Sequence, residues 1–195
     1  MRQNPERRTA LLDAAIEVLA REGSRGLTLR AVDAAARVPV GTSSNYFANR
    51  GELLRQIMGR TYERLTPDPA ELAETMTAPR SPELVALLLR QVHQRMRADR
   101  SSYLAMLELR LEGTRRPELG AELNRIFSAE LENNIRFHLD AGLPGDRVAV
   151  ILLYLAMHGM IVDDLTVPDV LAGKAGELTD ELCRRLLGNA APDAS

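Results

Sequence analysis

Apolar positions recur along the chain at three- and four-residue spacing, and no stretch alternates convincingly residue by residue. That pattern predicts helix after helix and no strand, an all-α protein. Leu12, Ala15, Ile16 and Leu19 form one stripe of a first helix running from about Pro5 to Arg21, which Gly23 ends. Thr28 is placed to cap a short second helix, Leu29 to about Arg37, with Leu29, Val32 and Ala36 on its inner face. Asn49 followed by Glu52 resembles a capping box ahead of Leu53, Leu54, Ile57 and Met58. Thr66-Pro-Asp-Pro69 stops any helix and is the clearest boundary, dividing the chain into 1–66 and 67–195.

Beyond the boundary, 68–80 reads as a short turn of helix or a loop, and Ser81-Pro82 opens a helix to about Arg97. Further helices are expected over Ser102 to Glu112, Pro117 to Gly142 and Asp146 to Asp163, and from about Glu177 to Leu187. The last carries Leu178, Leu182 and Leu186 in register, and Ala190 to Ser195 reads as a frayed tail. The Asp146–Asp163 helix is apolar nearly all round, so it needs cover on every side. Ala156 and Gly159 are small enough to admit a neighbouring helix closely. Either a second copy of the chain or the chain itself could supply that cover.

Charge adds one asymmetry. The chain is close to neutral, at −2, yet residues 1–60 hold ten arginines against six acids. A basic end on an acidic body points to an anionic partner for that end. The single cysteine, Cys183, excludes an intrachain disulfide, fits a reducing compartment and reads as a small buried hydrophobe. The longest apolar run, Val148 to Ile161, is broken by His158 and Gly159, so no membrane span is expected, and the first residues lack the apolar core of a signal peptide. The expected location is the cytoplasm. His93, His138 and His158 are isolated, Asp163-Asp164 reads as a solvated helix end, and no phosphate-loop, dinucleotide, nucleophile-elbow or zinc-type spacing occurs. No catalytic residue, metal or cofactor is expected.

Gly41-Thr-Ser-Ser-Asn45 is a poor helix former, yet Val32, Val38, Tyr46 and Phe47 anchor it on both sides. A short helix so anchored would turn Thr42, Ser43, Ser44 and Asn45 outward, slim polar side chains suited to the major groove of DNA. Helix, tight turn and second helix have helix-turn-helix proportions.

Thr28 to Val38 followed by Val40-Gly-Thr-Ser-Ser-Asn-Tyr-Phe-Ala-Asn-Arg-Gly-Glu-Leu-Leu54 resembles the N-terminal signature of the tetracycline-repressor (TetR) family. Gly41-Thr42, Tyr46-Phe47, Asn49-Arg50 and Glu52-Leu53 fill that signature's slots in order. The resemblance covers about residues 5–65; beyond, it is one of helical architecture. It implies an N-terminal helix-turn-helix domain and a C-terminal helical bundle that binds a ligand and dimerises. Gly41, Thr42, Ser44 and Asn45 are then expected to face bases, and Thr28, Tyr46, Arg50 and Arg30 to meet phosphates. The chain departs from the family pattern where Arg37 replaces a turn glycine, Pro39 a capping serine, Val40 a lysine and Ser44 a tyrosine.

The implied partners are double-stranded DNA carrying a palindromic operator, a second copy through the last two helices, and a small-molecule effector. Flexible methionines and aromatics of the middle helices, Met96, Tyr103, Met106, Phe127, Phe137 and Met157, are the candidate effector residues. The implied function is a ligand-responsive regulator, most simply a repressor. The alternative is a helical small-molecule-binding dimer that has lost sequence-specific DNA binding.

Overall fold

The computed structural model describes residues 4–188, so the expected tail at Ala190 to Ser195 lies outside the described residues. Among these residues the chain is helical, with no strand. The helices are α1 (Pro5–Gly26), α2 (Leu29–Ala35), α3 (Arg50–Leu65), α4 (Pro69–Thr75), α5 (Pro82–Ala98), α6 (Arg100–Gly113), α7 (Pro117–Asp140), α8 (Arg147–Thr166) and α9 (Ala175–Leu187). Single 3-10 turns lie at Ser43–Asn45 and Pro168–Val170. The chain divides into two compact units, Met1–Thr66 with Asp99–Arg125, and Pro67–Ala98 with Ile126–Ser195.

In the first unit, α6 packs with α1 and α3, and α2 with α1. Leu11, Ile16, Leu19, Leu53, Ile57, Met58 and Leu109 are fully buried there. Asn49 Oδ1 caps α3 by accepting from Glu52 N–H at 2.9 Å, while Glu52 Oε2 reaches back to Ala48 N–H at 2.7 Å. The box therefore closes one residue earlier than the sequence pattern implies. Arg60 holds Asp13 of α1 (Nε to Oδ1, 2.8 Å), and Arg64 grips Asp99 at the start of α6 with two bonds of 2.7 and 2.8 Å. Asp99 also caps α6 through Ser102 N–H and O–H.

Burial by itself would raise the Asp99 carboxyl, but the Arg64 guanidinium and the Ser102 donors outweigh it and hold the group below its ordinary value. A carboxylate depressed in the folded state contributes stability above its unfolded value near pH 4 and loses it as pH falls through the folded one. Asp99→Asn is expected to lose on the order of 1–2 kcal/mol at pH 7. Its acid unfolding below about pH 4 should be shallower than the parent's, as followed by circular dichroism.

The end of α2 is a Schellman turn. Val38 N–H reaches Asp33 O at 3.0 Å and Arg37 N–H reaches Ala34 O at 3.2 Å. The residue between must be left-handed, and Arg37 takes φ +55° there. A side chain at this conformation costs about 1 kcal/mol that glycine avoids. Arg37→Gly is expected to raise the melting temperature by roughly 2–4 °C in calorimetry.

In the second unit, Leu84, Val85 and Ala86 of α5, Ala149 and Leu153 of α8, and Cys183 and Leu187 of α9 share a core with Leu143. Burial pushes the Cys183 thiol up to about 11, so it behaves as an inert hydrophobe, as expected. The expected short element after the boundary is the helix α4, capped by Asp68. On α9 the in-register Leu182 and Leu186 pack partly against this core. Ala175, Thr179, Cys183 and Leu187 turn inward, while Leu178 is exposed.

Helix α8 has two faces. Ala149, Leu153, Met157 and Ile161 are buried within the chain, and Val148, Leu152, Leu155 and Gly159, at spacings of four, three and four, are exposed on the opposite side. Its best 18-residue window has mean hydropathy 1.8, so by length and composition α8 is long and apolar enough to cross a membrane. This corrects the expectation drawn from unbroken runs, because averaging passes over His158 and Gly159. The core helix of a bundle meets the same test, and a third of that window is buried within the chain. Asp164 is also corrected. It is nearly buried, bonded to His93 Nε2 at 2.9 Å and beside Arg97 Nε at 3.4 Å, not a solvated end.

Candidate nucleic-acid interface

The segment between α2 and α3 is built around Asp33, a carboxylate 1% exposed. It accepts from Gly41 N–H at 2.7 Å, Ser43 N–H at 2.7 Å and Ser43 O–H at 2.5 Å. Gly41 takes φ +94°, a backbone only glycine adopts cheaply, and this aims its N–H at the carboxylate. Phe47 seals the far end, 1% exposed. The result is one 3-10 turn, Ser43–Asn45, where a short helix was expected. Ser43 is buried against Asp33 rather than turned outward, because its two donors satisfy the buried charge.

Sequence reasoning missed Asp33. The available signal was a lone acid beside Val32 in an alanine run, followed eight and ten residues later by Gly41 and Ser43.

Gly41, Ser44 and Asn45 are exposed and Thr42 is half-buried. Thr42 O–H donates to Pro39 O at 2.6 Å, Ser44 O–H to Gly41 O at 2.7 Å, and Asn45 Nδ2 to Gly41 O at 3.3 Å. These bonds leave lone pairs of the Thr42 and Ser44 hydroxyls to accept from a donor on a base edge. Thr28 caps α2, accepting from Ala31 N–H at 3.1 Å, and Arg30 is exposed in that helix's first turn. Tyr46 is half-buried, with the Arg8 guanidinium 5.9 Å from the centres of both its ring and Phe47's.

Arg50 is employed inside the fold. Its guanidinium donates to the carbonyls of Ser24 and Leu27 and to Ser24 Oγ, the last at 2.8 Å. It thereby ties α3 to the connection between α1 and α2. Ser24 is gripped from α6 as well, its N–H by Glu108 at 3.2 Å and its O–H by Glu112 at 2.8 Å. The Arg116 bond and that of Ser24 outweigh burial and hold Glu112 below its usual value, so it is a firm acceptor. The turn at Gly23, φ +69°, makes room for this knot, and one further helical turn follows to Gly26.

The six candidate effector residues fall in different units. Tyr103 and Met106 are buried in the first; Met96, Phe127, Phe137 and Met157 belong to the second. Phe137 is 40% exposed, and Met157 Sδ accepts from Thr179 O–H at 3.9 Å. Among the described residues no group of three metal-binding side chains assembles.

Comparison with known proteins adds the context for this geometry. The model described as "Bacterial regulatory proteins, tetR family" matches residues 11–57, and "Tetracyclin repressor-like, C-terminal domain" matches 80–189, more than half the chain. The HTH-type transcriptional repressor KstR of Mycolicibacterium smegmatis is 38% identical over 60 residues, which are 31% of this chain and only 29% of that repressor. Among solved structures, the multidrug binding protein EbrR complexed with imidazole is 28% identical with a TM-score of 0.66, over 97% of this chain and 99% of its own. A TetR-family member from Streptomyces coelicolor A3 is 28% identical with a TM-score of 0.69, over 94% and 99%. The fatty acid degradation regulator FadR from Bacillus halodurans, at 19% identity and a TM-score of 0.69 over 97% and 98%, shares the fold. Proteins of this family are DNA-binding transcription regulators rather than enzymes. With a helix-turn-helix model over its first part and the C-terminal model over its larger one, this chain belongs to the TetR family.

Proposed function

We propose that this regulator is a repressor that binds a palindromic operator as a dimer and is released by a small-molecule effector. The observation that carries the reading is the Asp33 frame, which fixes the backbone of 41–45 and leaves Ser44, Asn45 and the half-buried Thr42 on its outer side. Residues 1–66 are assigned to DNA reading and 67–195 to effector binding and dimerisation, with the cytoplasm as the place of action. Thr42, Ser44 and Asn45 read base edges, with Gly41 admitting close approach. Thr28, Arg30 and Tyr46 meet phosphates, and Arg50 acts by positioning the α1–α2 connection.

The uncovered α8 face, Val148, Leu152 and Leu155, continued by Leu178 of α9, is assigned to the second copy. Two-fold symmetry then sets two heads about one helical turn apart on DNA.

EbrR has been solved with imidazole, ethidium and malachite green. An aromatic nitrogen compound is accordingly the effector class proposed here, with Met96, Phe127 and Met157 among its contacts. Helix α5 runs into α6 through Asp99, and α6 holds Ser24, which Arg50 of α3 also grips, so displacement of α5 by effector has a covalent route to the head.

Selection of bound sequences from random duplex DNA tests the function. Enrichment of a palindrome, with binding that falls steeply with salt, is the expected result. Uniform binding to all sequences would overturn it.

A further inference from the structure

Among the described residues Val40 is the most exposed large apolar side chain, at 76%. It stands at the entrance to the reading segment, next to Gly41 and two residues from Thr42. We propose that Val40 is itself a base-reading residue, whose isopropyl group packs against the 5-methyl group of a thymine in each operator half-site. The inference rests on the DNA-binding reading given above and adds a determinant of sequence preference to it.

The geometry holds Val40 outward. Pro39 O accepts from Thr42 N–H at 3.1 Å and from Thr42 O–H at 2.6 Å, and Gly41 N–H is anchored on Asp33 at 2.7 Å. Both neighbours of Val40 are therefore tied down, so the side chain does not fold back into the core. Valine is stiff about its first side-chain torsion, so little freedom is lost when it meets a partner. An uncovered isopropyl group gains by leaving water only if what covers it is apolar. Base edges in the major groove present donors and acceptors at every base pair, and one carbon substituent, the thymine methyl. Continuity with Thr42 and Ser44 puts Val40 on the surface that faces those edges. A lysine in this place would gain a phosphate contact blind to sequence; valine gains one that depends on it.

The test uses the full-length protein and the operator it selects. Each thymine is replaced in turn by deoxyuridine, which differs only by the missing methyl, and affinity is measured at fixed salt for the parent and for Val40→Ala. One thymine per half-site is expected at which the replacement weakens the parent about fourfold, the worth of one buried methyl-sized group. The same replacement should leave Val40→Ala unchanged, and that variant should bind the unmodified operator about as weakly as the parent binds the deoxyuridine form. Its melting temperature should equal the parent's, since the residue is uncovered. Thymines that are all indifferent, or that weaken both proteins equally, would overturn the role of Val40 alone. If the parent selects no sequence at all, the DNA-binding reading fails and this inference with it.

Discussion

Asp33→Ala is expected to lose about 3–5 kcal/mol of stability and to abolish selection of a DNA sequence. The carboxylate is buried and accepts three hydrogen bonds, from Gly41 N–H and from the N–H and O–H of Ser43. Removing it strands donors that water reaches poorly, at about 1–3 kcal/mol for each buried donor. For a chain of this length that is a fall of roughly 10 °C in melting temperature. The second consequence concerns conformation. The carboxylate is what draws the Gly41 N–H inward at φ +94°, so without it the reading segment loses that fixed point. Asp33→Asn keeps one acceptor and places an amide donor against another donor, and should fall between parent and alanine variant. Calorimetry and titration with the selected operator at constant salt give both readouts. An alanine variant that melts within about 2 °C of the parent and selects the same sequence would show that the frame lies elsewhere.

The second large effect is expected on α8. Leu155→Glu places a charge at the centre of the exposed apolar face formed with Val148 and Leu152, with Leu155 itself 59% exposed. Because a two-fold interface uses the same face of both copies, the substitution desolvates a charge twice, once from each copy. Each buried uncompensated charge costs several kcal/mol, so dimer dissociation should rise by at least 100-fold. Sedimentation at micromolar concentration should show monomer for the variant and dimer for the parent. The variant should stay folded, since this face is not part of the chain's own core, with a melting temperature lowered only by the loss of the partner and no longer dependent on protein concentration. A parent that sediments as a monomer would remove the dimer from the proposed function.

Much of the architecture was legible because helices announce themselves through period and caps. Asn49, Thr28 and Asp146 cap α3, α2 and α8 as their spacing implies, and Pro82 and Pro117 occupy helix starts. What escaped were matters of partner and face. Asp33 and Asp164 look like ordinary solvated acids in the sequence, because their partners Ser43 and His93 lie 10 and 71 residues away. The inner face of α9 was not legible because Thr179 is satisfied within the helix, donating to Ala175 O at 2.8 Å, and so packs like a hydrophobe. Outward-facing Thr42, Ser44 and Asn45 rest on the family resemblance and on exposure. The effector residues had composition alone behind them, and composition carries no shape.

The Asp33 frame and the polar atoms of Ser44 and Asn45 occupy opposite sides of the same short segment. Support and message are thereby kept on separate side chains. Substitutions at positions 40, 44 and 45 can drift through many residue types without disturbing the fold, while position 33 cannot. A lineage of such proteins is free to exchange one target sequence for another by single steps, each passing through a stable, expressible intermediate.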